Sequence, residues 1–159
     1  MSNKEKKLIV LVIDDDRSSL FVCQNLLSPF YEVHVALSPD EMFRVLESVT
    51  PDLFLLDIIM PDMDGYKVAR KLKADERYAA IPIIFLTALD DAESEAAGFR
   101  AGAADFIRKP VQPVDKEILL YRIEVQTRLA NMLREAKEIR DKAYNDLKKW
   151  CDGGVKACL

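Results

Sequence analysis

The chain has 159 residues, half of them apolar and 31% charged, and its formal net charge is −4. This length suits one α/β domain with an added element, and the composition excludes a disordered chain. The longest apolar run, Leu8 to Ile13, is too short to cross a membrane, and the polar start Met1–Lys7 does not fit a secretory signal. Without a long basic block, direct binding of nucleic acid is not expected. Three scattered cysteines and one histidine cannot build a zinc site, and they predict a reducing, cytoplasmic location.

Five apolar segments alternate with helical segments along the chain. The predicted strands are Leu8–Ile13, Glu32–Leu37, Leu53–Leu56, Ile81–Leu86 and Ala104–Ile107. The predicted helices contain Leu20–Leu27, Met42–Val49, Gly65–Leu72 and Asp91–Ala101, and a fifth helix begins at Asp115. Continuous apolar runs are typical of strands covered on both faces, and the partial alternation of Glu32–Leu37 is typical of an edge strand. This order of elements predicts an α/β fold with a parallel sheet and helices on both of its faces.

Several predicted helices carry local signals at their ends. Ser38–Glu41 has the spacing of a capping box, with Pro39 at the first helical position. Gly102 is expected to close the fourth helix. Asp16 is interpreted as a cap or an exposed acid, and Asp64 as the cap of the third helix. These residues therefore have structural rather than chemical roles.

A different set of polar side chains follows the predicted strands. These are Asp14, Asp15 and Asp16 after the first strand, Asp57 after the third, Thr87 after the fourth, and Arg108 and Lys109 after the fifth. In an open parallel sheet, ligands bind beyond the carboxyl ends of the strands, near the point where the strand order reverses. Acids, a hydroxyl and an ammonium group from four strands are therefore expected to meet at one edge, and no structural need explains that coincidence.

The grouped acids predict a divalent cation and chemistry at phosphorus. Asp14, Asp15 and Asp57 would repel one another, and a hard cation such as Mg²⁺ removes that conflict by taking carboxylate, carbonyl and water ligands. The bound metal would attract phosphate, and Asp57 is placed to attack it and form an aspartyl phosphate. Lys109 can hold one phosphoryl oxygen as a point charge, and Thr87 can donate a hydrogen bond to another.

Four segments share the pattern of one family. They are Asp14-Asp15 after a buried strand, Asp57-Ile58-Ile59-Met60-Pro61-Asp62-Met63-Asp64-Gly65, Thr87-Ala88 and Lys109-Pro110. Together they resemble the receiver domain of two-component response regulators, in order and at the family's spacing over residues 7–124. The resemblance implies a doubly wound, flavodoxin-like fold whose five parallel strands have the order 2-1-3-4-5.

The resemblance also implies a role for each member of the metal site. Asp57 would be the phosphoacceptor. Asp15 and Asp57 would coordinate Mg²⁺ directly, or Mn²⁺ in its place, and Asp14 would act mainly through water. The backbone carbonyl of Ile59 would be a further ligand.

Two further residues, Thr87 and Phe106, would form a switch. On phosphorylation of Asp57, Thr87 would move toward the phosphoryl group and Phe106 would turn inward, which reshapes the face of the fourth helix, fifth strand and fifth helix. Phe106 replaces the commoner tyrosine of the family, so a partner contact that needs the tyrosine hydroxyl is excluded. The alternative is that Phe106 only fills the core.

Other functions are weighed against the receiver. A lone aspartate at a strand end is more often a cap than a nucleophile. The presence of Asp14, Thr87 and Lys109 at the same edge, however, favours a functional role for Asp57. The alternative is a Mg²⁺-dependent phosphatase of small phosphoesters with an aspartate nucleophile. Such enzymes carry two acids one residue apart, whereas Asp57 is followed by two isoleucines and no cap domain is available. An FMN binder is disfavoured, because the first strand ends in acids rather than hydroxyls and amides.

The C-terminal segment predicts a long helix. No Pro or Gly occurs between Asp115 and Trp150. Apolar residues recur at alternating spacings of four and three, at Val125, Leu129, Met132, Ala136, Ile139 and Ala143. This heptad seam, which Asp146 weakens, predicts a homodimer through the fifth helix and its extension, or docking on a partner; packing onto its own receiver is the alternative. The predicted domains are a receiver over 7–124, a helical extension over 125–150 and a tail over 151–159.

The predicted function is a phosphorylation-dependent signalling switch that catalyses only its own phosphotransfer and dephosphorylation. The phosphoryl donor would be a sensor histidine kinase or a histidine phosphotransfer protein, and the output would be assembly or a further domain. Ile59 and Leu89, two residues beyond Asp57 and Thr87, are expected to border the path of the hydrolytic water. Both are apolar, so slow loss of the phosphoryl group is expected.

Overall fold

A computed structural model describes residues 5–154, in which five strands and five α-helices alternate. The strands are β1 (Ile9–Ile13), β2 (Glu32–Ala36), β3 (Leu53–Asp57), β4 (Ile83–Thr87) and β5 (Asp105–Arg108). The helices are α1 (Arg17–Leu27), α2 (Pro39–Leu46), α3 (Gly65–Ala74), α4 (Ala92–Ala101) and α5 (Lys116–Gly154), and a 3-10 turn covers Pro113–Asp115. Neighbouring strands pair in parallel in the order β2-β1-β3-β4-β5. The predicted doubly wound α/β fold, its edge strand and its long C-terminal helix are confirmed.

The sheet carries an apolar layer on each face. On one face, α2, α3 and α4 pack on a layer that includes Phe54 and Phe85. On the other face, α1 and the start of α5 pack on Val12 and Leu55, and Ile123 of α5 is fully buried there. Burial on both faces explains why the strands read as continuous apolar runs. Truncating one of the fully buried aromatic side chains to alanine is expected to destabilise the fold by about 3–5 kcal/mol.

The predicted helix ends are present with one change of partner. The backbone N–H of Glu41 donates to Ser38 Oγ at 3.2 Å, but the Glu41 carboxylate accepts from the N–H of Leu37, at 2.8 Å, rather than from that of Ser38. Asp64 caps α3 as predicted. Gly102 ends α4 with a φ of 107°, a left-handed conformation that strains any residue with a side chain.

Several predicted boundaries differ from the observed ones by one to three residues, and two of these differences have a clear cause. Strand β4 begins at Ile83 rather than Ile81, because Ile81 belongs to a turn. The N–H of Ile81 donates to the Tyr78 carbonyl at 3.0 Å, and its own carbonyl accepts from Lys73 Nζ at 2.8 Å. Helix α2 ends at Leu46 rather than Val49, since the chain continues there in a tighter turn.

The C-terminal helix extends into the predicted tail. Helix α5 extends to Gly154, so residues 151–154 of the predicted tail are helical. The rest of that tail, with Cys158, lies outside the described residues, as do residues 1–4 of the polar start. Cys23 is a buried free thiol and Cys151 an exposed one.

The chain divides into two compact units between Thr127 and Arg128. The first unit contains the sheet and the packed part of α5, where the Thr127 hydroxyl donates to the Ile123 carbonyl at 2.9 Å. In the second unit, every residue from Met132 to Gly153 is exposed. Among the described helices, none combines the length and hydropathy needed to span a bilayer.

Candidate functional site

The site lies at the carboxyl edge of the sheet, where the register of the parallel strands aligns their polar ends. Asp57 pairs with Leu86 across β3 and β4, and Thr87 pairs with Arg108 across β4 and β5. The backbone N–H of Lys109 donates to the Thr87 carbonyl at 2.9 Å, and the peptide bond from Lys109 to Pro110 is cis. Residues far apart in the sequence are therefore held at one edge by strand pairing alone.

Three aspartates form an acidic cluster at this edge. One carboxylate oxygen from each of Asp14, Asp15 and Asp57 lies within 4.8 Å of the others. Asp14 is fully buried and Asp57 is only 5% exposed, whereas Asp15 faces solvent. The Asp14 carboxylate also accepts the N–H of Asp16 at 2.9 Å, which orients it. Asp16 caps α1, which is one of the two roles predicted for it.

The cation of the site is Lys109. Its Nζ forms an ion pair with the Asp14 carboxylate and lies 3.3 Å from Asp57 Oδ2. Burial of the ammonium group acts to lower the pKa of Lys109, but the two carboxylates outweigh it and raise that pKa above its ordinary value. Lys109 is therefore a fixed positive charge beside both buried acids.

The electrostatics of Asp57 are set mainly by burial. Desolvation, followed by repulsion from Asp14, raises the pKa of Asp57 to about 7, although Lys109 opposes that rise. One ammonium group thus does not neutralise the cluster. A second cation at this point would restore the ionised, nucleophilic form of Asp57 at neutral pH.

The donor set fits a hard divalent ion. Anionic oxygens within reach of one another are the ligands that Mg²⁺ prefers, and the exposed Asp15 leaves one side of the cluster open to water. Ile59, the proposed source of a carbonyl ligand, follows Asp57 by two residues in the loop toward α3. His34 is engaged elsewhere, because its Nε2 pairs with Glu32 at 2.8 Å.

A glycine holds the loop that follows Asp57. The N–H of Gly65 donates to the Ile58 carbonyl at 2.7 Å. A Cβ atom on Gly65 would lie 2.3 Å from the carbonyl oxygen of Asp57, a distance that no side chain tolerates. Only glycine therefore allows α3 to begin this close to the phosphoacceptor candidate.

Thr87 is buried at the end of β4, beside the acidic edge. Its Oγ1 accepts the backbone N–H of Leu89 at 2.9 Å. Since a hydroxyl group can accept and donate at once, this bond does not use the hydroxyl hydrogen of Thr87. That hydrogen is the donor that the predicted role requires.

Phe106 lies in a row of aromatic rings that spans β4, β5 and α4. Its ring centroid is 5.6 Å from that of Phe85 and 4.9 Å from that of Phe99. Tyr66 stacks edge-on against Phe85, and its hydroxyl donates to the Ser94 carbonyl at 3.0 Å. No role is predicted from the sequence for these neighbours, because aromatic residues on separate elements give no signal of mutual contact.

The chain is similar to known proteins over most of its length. The family model of the response regulator receiver domain matches residues 10–120. Response regulator PleD of Caulobacter vibrioides is 34% identical over 130 residues, which are 81% of this chain and 28% of PleD. The DNA-binding dual master transcriptional regulator RpaA of Synechocystis is 35% identical over 128 residues, which are 80% of this chain and 52% of RpaA. A response regulator receiver domain protein from Methanospirillum hungatei superposes with a TM-score of 0.70 at 28% identity, covering 80% of this chain and 98% of that one.

Proposed function

The chain belongs to the response regulator receiver family, and on that basis we propose that it is a signalling switch phosphorylated on Asp57. The observation that carries the proposal is the burial of Asp57 between Asp14 and Lys109 at the edge where four strands end. A nearly buried carboxylate with a raised pKa is costly to the fold, and a role as nucleophile explains its presence at this position.

In the proposed reaction, a carboxylate oxygen of Asp57 attacks phosphorus in the phosphohistidine of a sensor histidine kinase or a histidine phosphotransfer protein. A P–O bond forms while the P–N bond breaks, and the leaving imidazole takes up a proton. Lys109 Nζ, already 3.3 Å from Asp57, would move with the charge to a phosphoryl oxygen. The Thr87 hydroxyl would donate to a second oxygen.

We assign the divalent site to the carboxylates of Asp14, Asp15 and Asp57 and the backbone carbonyl of Ile59. The ion would be Mg²⁺, with Mn²⁺ as a substitute, and it would supply positive charge that allows the acids and a phosphoryl group to coexist. The 4.8 Å limit on the separations of the carboxylate oxygens supports this assignment.

The proposed switch consists of Thr87 and Phe106. Thr87 would give up its hydrogen bond with the Leu89 N–H and move toward the phosphoryl group. The Phe106 ring would then move as the space beside Thr87 changes. Two neighbours of Phe106, Phe85 and Phe99, link it to the core and to the surface of α4. Movement of the ring would therefore change the face formed by α4, β5 and α5.

We further propose that α5 pairs with the α5 of a second copy. The receiver would span residues 7–124, and the extension 125–150 would supply the pairing surface. Its seam residues are mostly exposed, among them Val125, Leu129, Met132 and Ile139. A single helix would leave this stripe in water, whereas two identical helices bury it as a coiled coil. Phosphorylation would then act on assembly or on an output joined to the helix.

The proposed phosphorylation is tested by intact mass spectrometry with acetyl phosphate as donor. The wild-type chain is expected to gain the mass of one phosphoryl group in Mg²⁺ and none in EDTA. Asp57→Asn is expected to gain none, while Asp62→Asn, which removes an exposed acid in the same loop, behaves as wild type. Wild-type chain without added mass in Mg²⁺ would contradict the proposal. Steady turnover of a chromogenic phosphoester would instead support the phosphatase alternative.

A further inference from the structure

A glycine occupies the interior of α4 at a point where helices ordinarily avoid it. Gly98 is buried and lies three residues before the end of the helix at Ala101. Glycine disfavours a helix because it loses more backbone entropy than any other residue on folding. Some contact made possible by the missing side chain must therefore offset that loss.

The contact is with the ring of Phe106. A Cβ atom on Gly98 would lie 2.4 Å from Cζ and 2.8 Å from Cε1 of that ring, and 3.2 Å from Cδ2 of Phe85. The Phe99 ring meets the same ring edge-on, at an interplanar angle of 79°. Phe106 thus occupies a seat formed by the bare backbone of Gly98 and by the rings of Phe85 and Phe99.

This seat lies on the same strand pair as Thr87. Phe106 is the cross-strand partner of Phe85, and Thr87 follows Phe85 by two residues on β4. Residues two apart on a strand point to the same face, so Thr87, Phe85 and the ring share one side of the sheet. Tyr66 holds α4 over that side through its bond to the Ser94 carbonyl, one turn before Gly98.

We propose that Gly98 is a positioning residue of the switch. Its missing side chain allows the Phe106 ring to lie against α4, and this seat sets the balance between ring positions that phosphorylation shifts. The inference rests on the proposed function, because it requires that Phe106 moves when Asp57 carries a phosphoryl group. A methyl group at position 98 removes the seat, and by linkage it changes the affinity of any ligand that favours one ring position.

The test measures the dissociation constant of beryllofluoride, a phosphoryl mimic, in Mg²⁺ by fluorine NMR. Four chains are compared with the wild type: Gly98→Ala, Phe106→Ala, the double variant of both, and Gly153→Ala. The last is a matched control, since it adds the same methyl group to a helix where nothing lies within 4 Å.

Gly98→Ala is expected to change the dissociation constant by about fivefold or more, and Gly153→Ala to leave it unchanged. Once the ring is absent, in the Phe106→Ala background, the change at position 98 is expected to have no further effect. The double variant lacks the Phe106 ring, which accounts for the two contacts below 3.0 Å, and only the 3.2 Å approach to Phe85 remains. It keeps the test usable even if Gly98→Ala alone does not fold. In that case, a double variant that folds and binds like Phe106→Ala supports the seat.

Two results would overturn the inference. One is an unchanged dissociation constant in Gly98→Ala, and the other is an equal change with and without the Phe106 ring, which would assign the effect to the helix backbone. Failure of the wild-type chain to bind beryllofluoride would overturn the proposed function instead, so the two failures are distinguishable.

Discussion

The carboxyl edge of the sheet and the C-terminal part of α5 depart from the usual burial pattern in opposite directions. At the sheet edge, the polar carboxyl groups of Asp14 and Asp57 are nearly excluded from water. Along α5, Ile139 and Trp150 are apolar yet more than 70% exposed. Buried charges and exposed apolar stripes are both unfavourable in an isolated chain. Each departure therefore supports one of the proposed binding events: that of a cation and a phosphoryl group at the edge, and that of a second helix along α5.

The two regions also differ in how they are built. The sheet edge joins residues from four strands, and all of its charged side chains come from one chain. The seam of α5 is a local repeat within one helix, and its apolar side chains are exposed. The first region should respond to ions and phosphodonors, and the second to protein concentration.

The largest expected effect is at the cation of the sheet edge. Replacing Lys109 with Gln removes the charge that holds a phosphoryl oxygen, and we expect phosphorylation from acetyl phosphate to slow by about 100-fold or more. The rate is measured by intact mass over time. Lys71→Gln, at an exposed position of α3, is the control and should react at the wild-type rate. An unimpaired Lys109→Gln would mean that the buried charge has only a structural role.

A single charge in the seam should separate the proposed dimer. Ile139→Lys loses the burial of two isoleucines in the pair, about 3 kcal/mol, which weakens dimerisation by about 100-fold. Light scattering across a concentration series measures the change. Asn145→Lys introduces the same charge on another side of the helix and should leave the dimer intact. A wild-type chain that is monomeric at all concentrations would contradict the proposed pairing of α5.

The stability of the first unit should depend on pH through Asp57. Because the folded pKa of about 7 lies above the ordinary value of 3.8, the protonated form is favoured by folding. Without divalent ions, stability is therefore highest below pH 4 with respect to this group and falls as pH rises through 7. Asp57→Asn should recover about 2 kcal/mol at pH 8, measured by urea denaturation.

Magnesium provides the control for that measurement. Mg²⁺ should stabilise the wild-type chain at pH 8 more than it stabilises Asp57→Asn. Its charge offsets the desolvation of the Asp57 carboxylate and the repulsion from Asp14. Equal stability of wild type and variant at pH 5 and pH 8 would contradict the assignment of a raised pKa to Asp57.

The smallest expected effect concerns the lifetime of the phosphoryl group. Ile59 is 58% exposed beside the site, and Leu89 is half-buried in the loop after β4. Neither side chain can orient a water molecule. We therefore expect Ile59→Asn to speed loss of phosphate several-fold, which corresponds to about 1 kcal/mol in the activation free energy of hydrolysis. Decay of the phosphorylated mass after removal of the donor measures it. Ile59→Val keeps the apolar surface and should decay at the wild-type rate.

The fold and the acidic edge could be predicted from the sequence because both follow from local patterns. Apolar runs mark the strands, and Asp57 directly follows one such run. The start of β4 could not be predicted, since Ile81 is apolar like a strand residue but its carbonyl is taken by Lys73 from another element. The seat of Phe106 on Gly98 could not be predicted either, because a glycine in a helical pattern gives no signal of which side chain packs against it.

The most direct test is to identify the phosphorylated residue itself. Borohydride reduces an aspartyl phosphate to homoserine, and peptide mass mapping then locates the altered position. After treatment with acetyl phosphate and Mg²⁺, we expect homoserine at position 57 and at no other aspartate. Homoserine at position 14 or 15, or a phosphoryl group that resists borohydride on His34, would contradict the assignment of Asp57 as the phosphoacceptor.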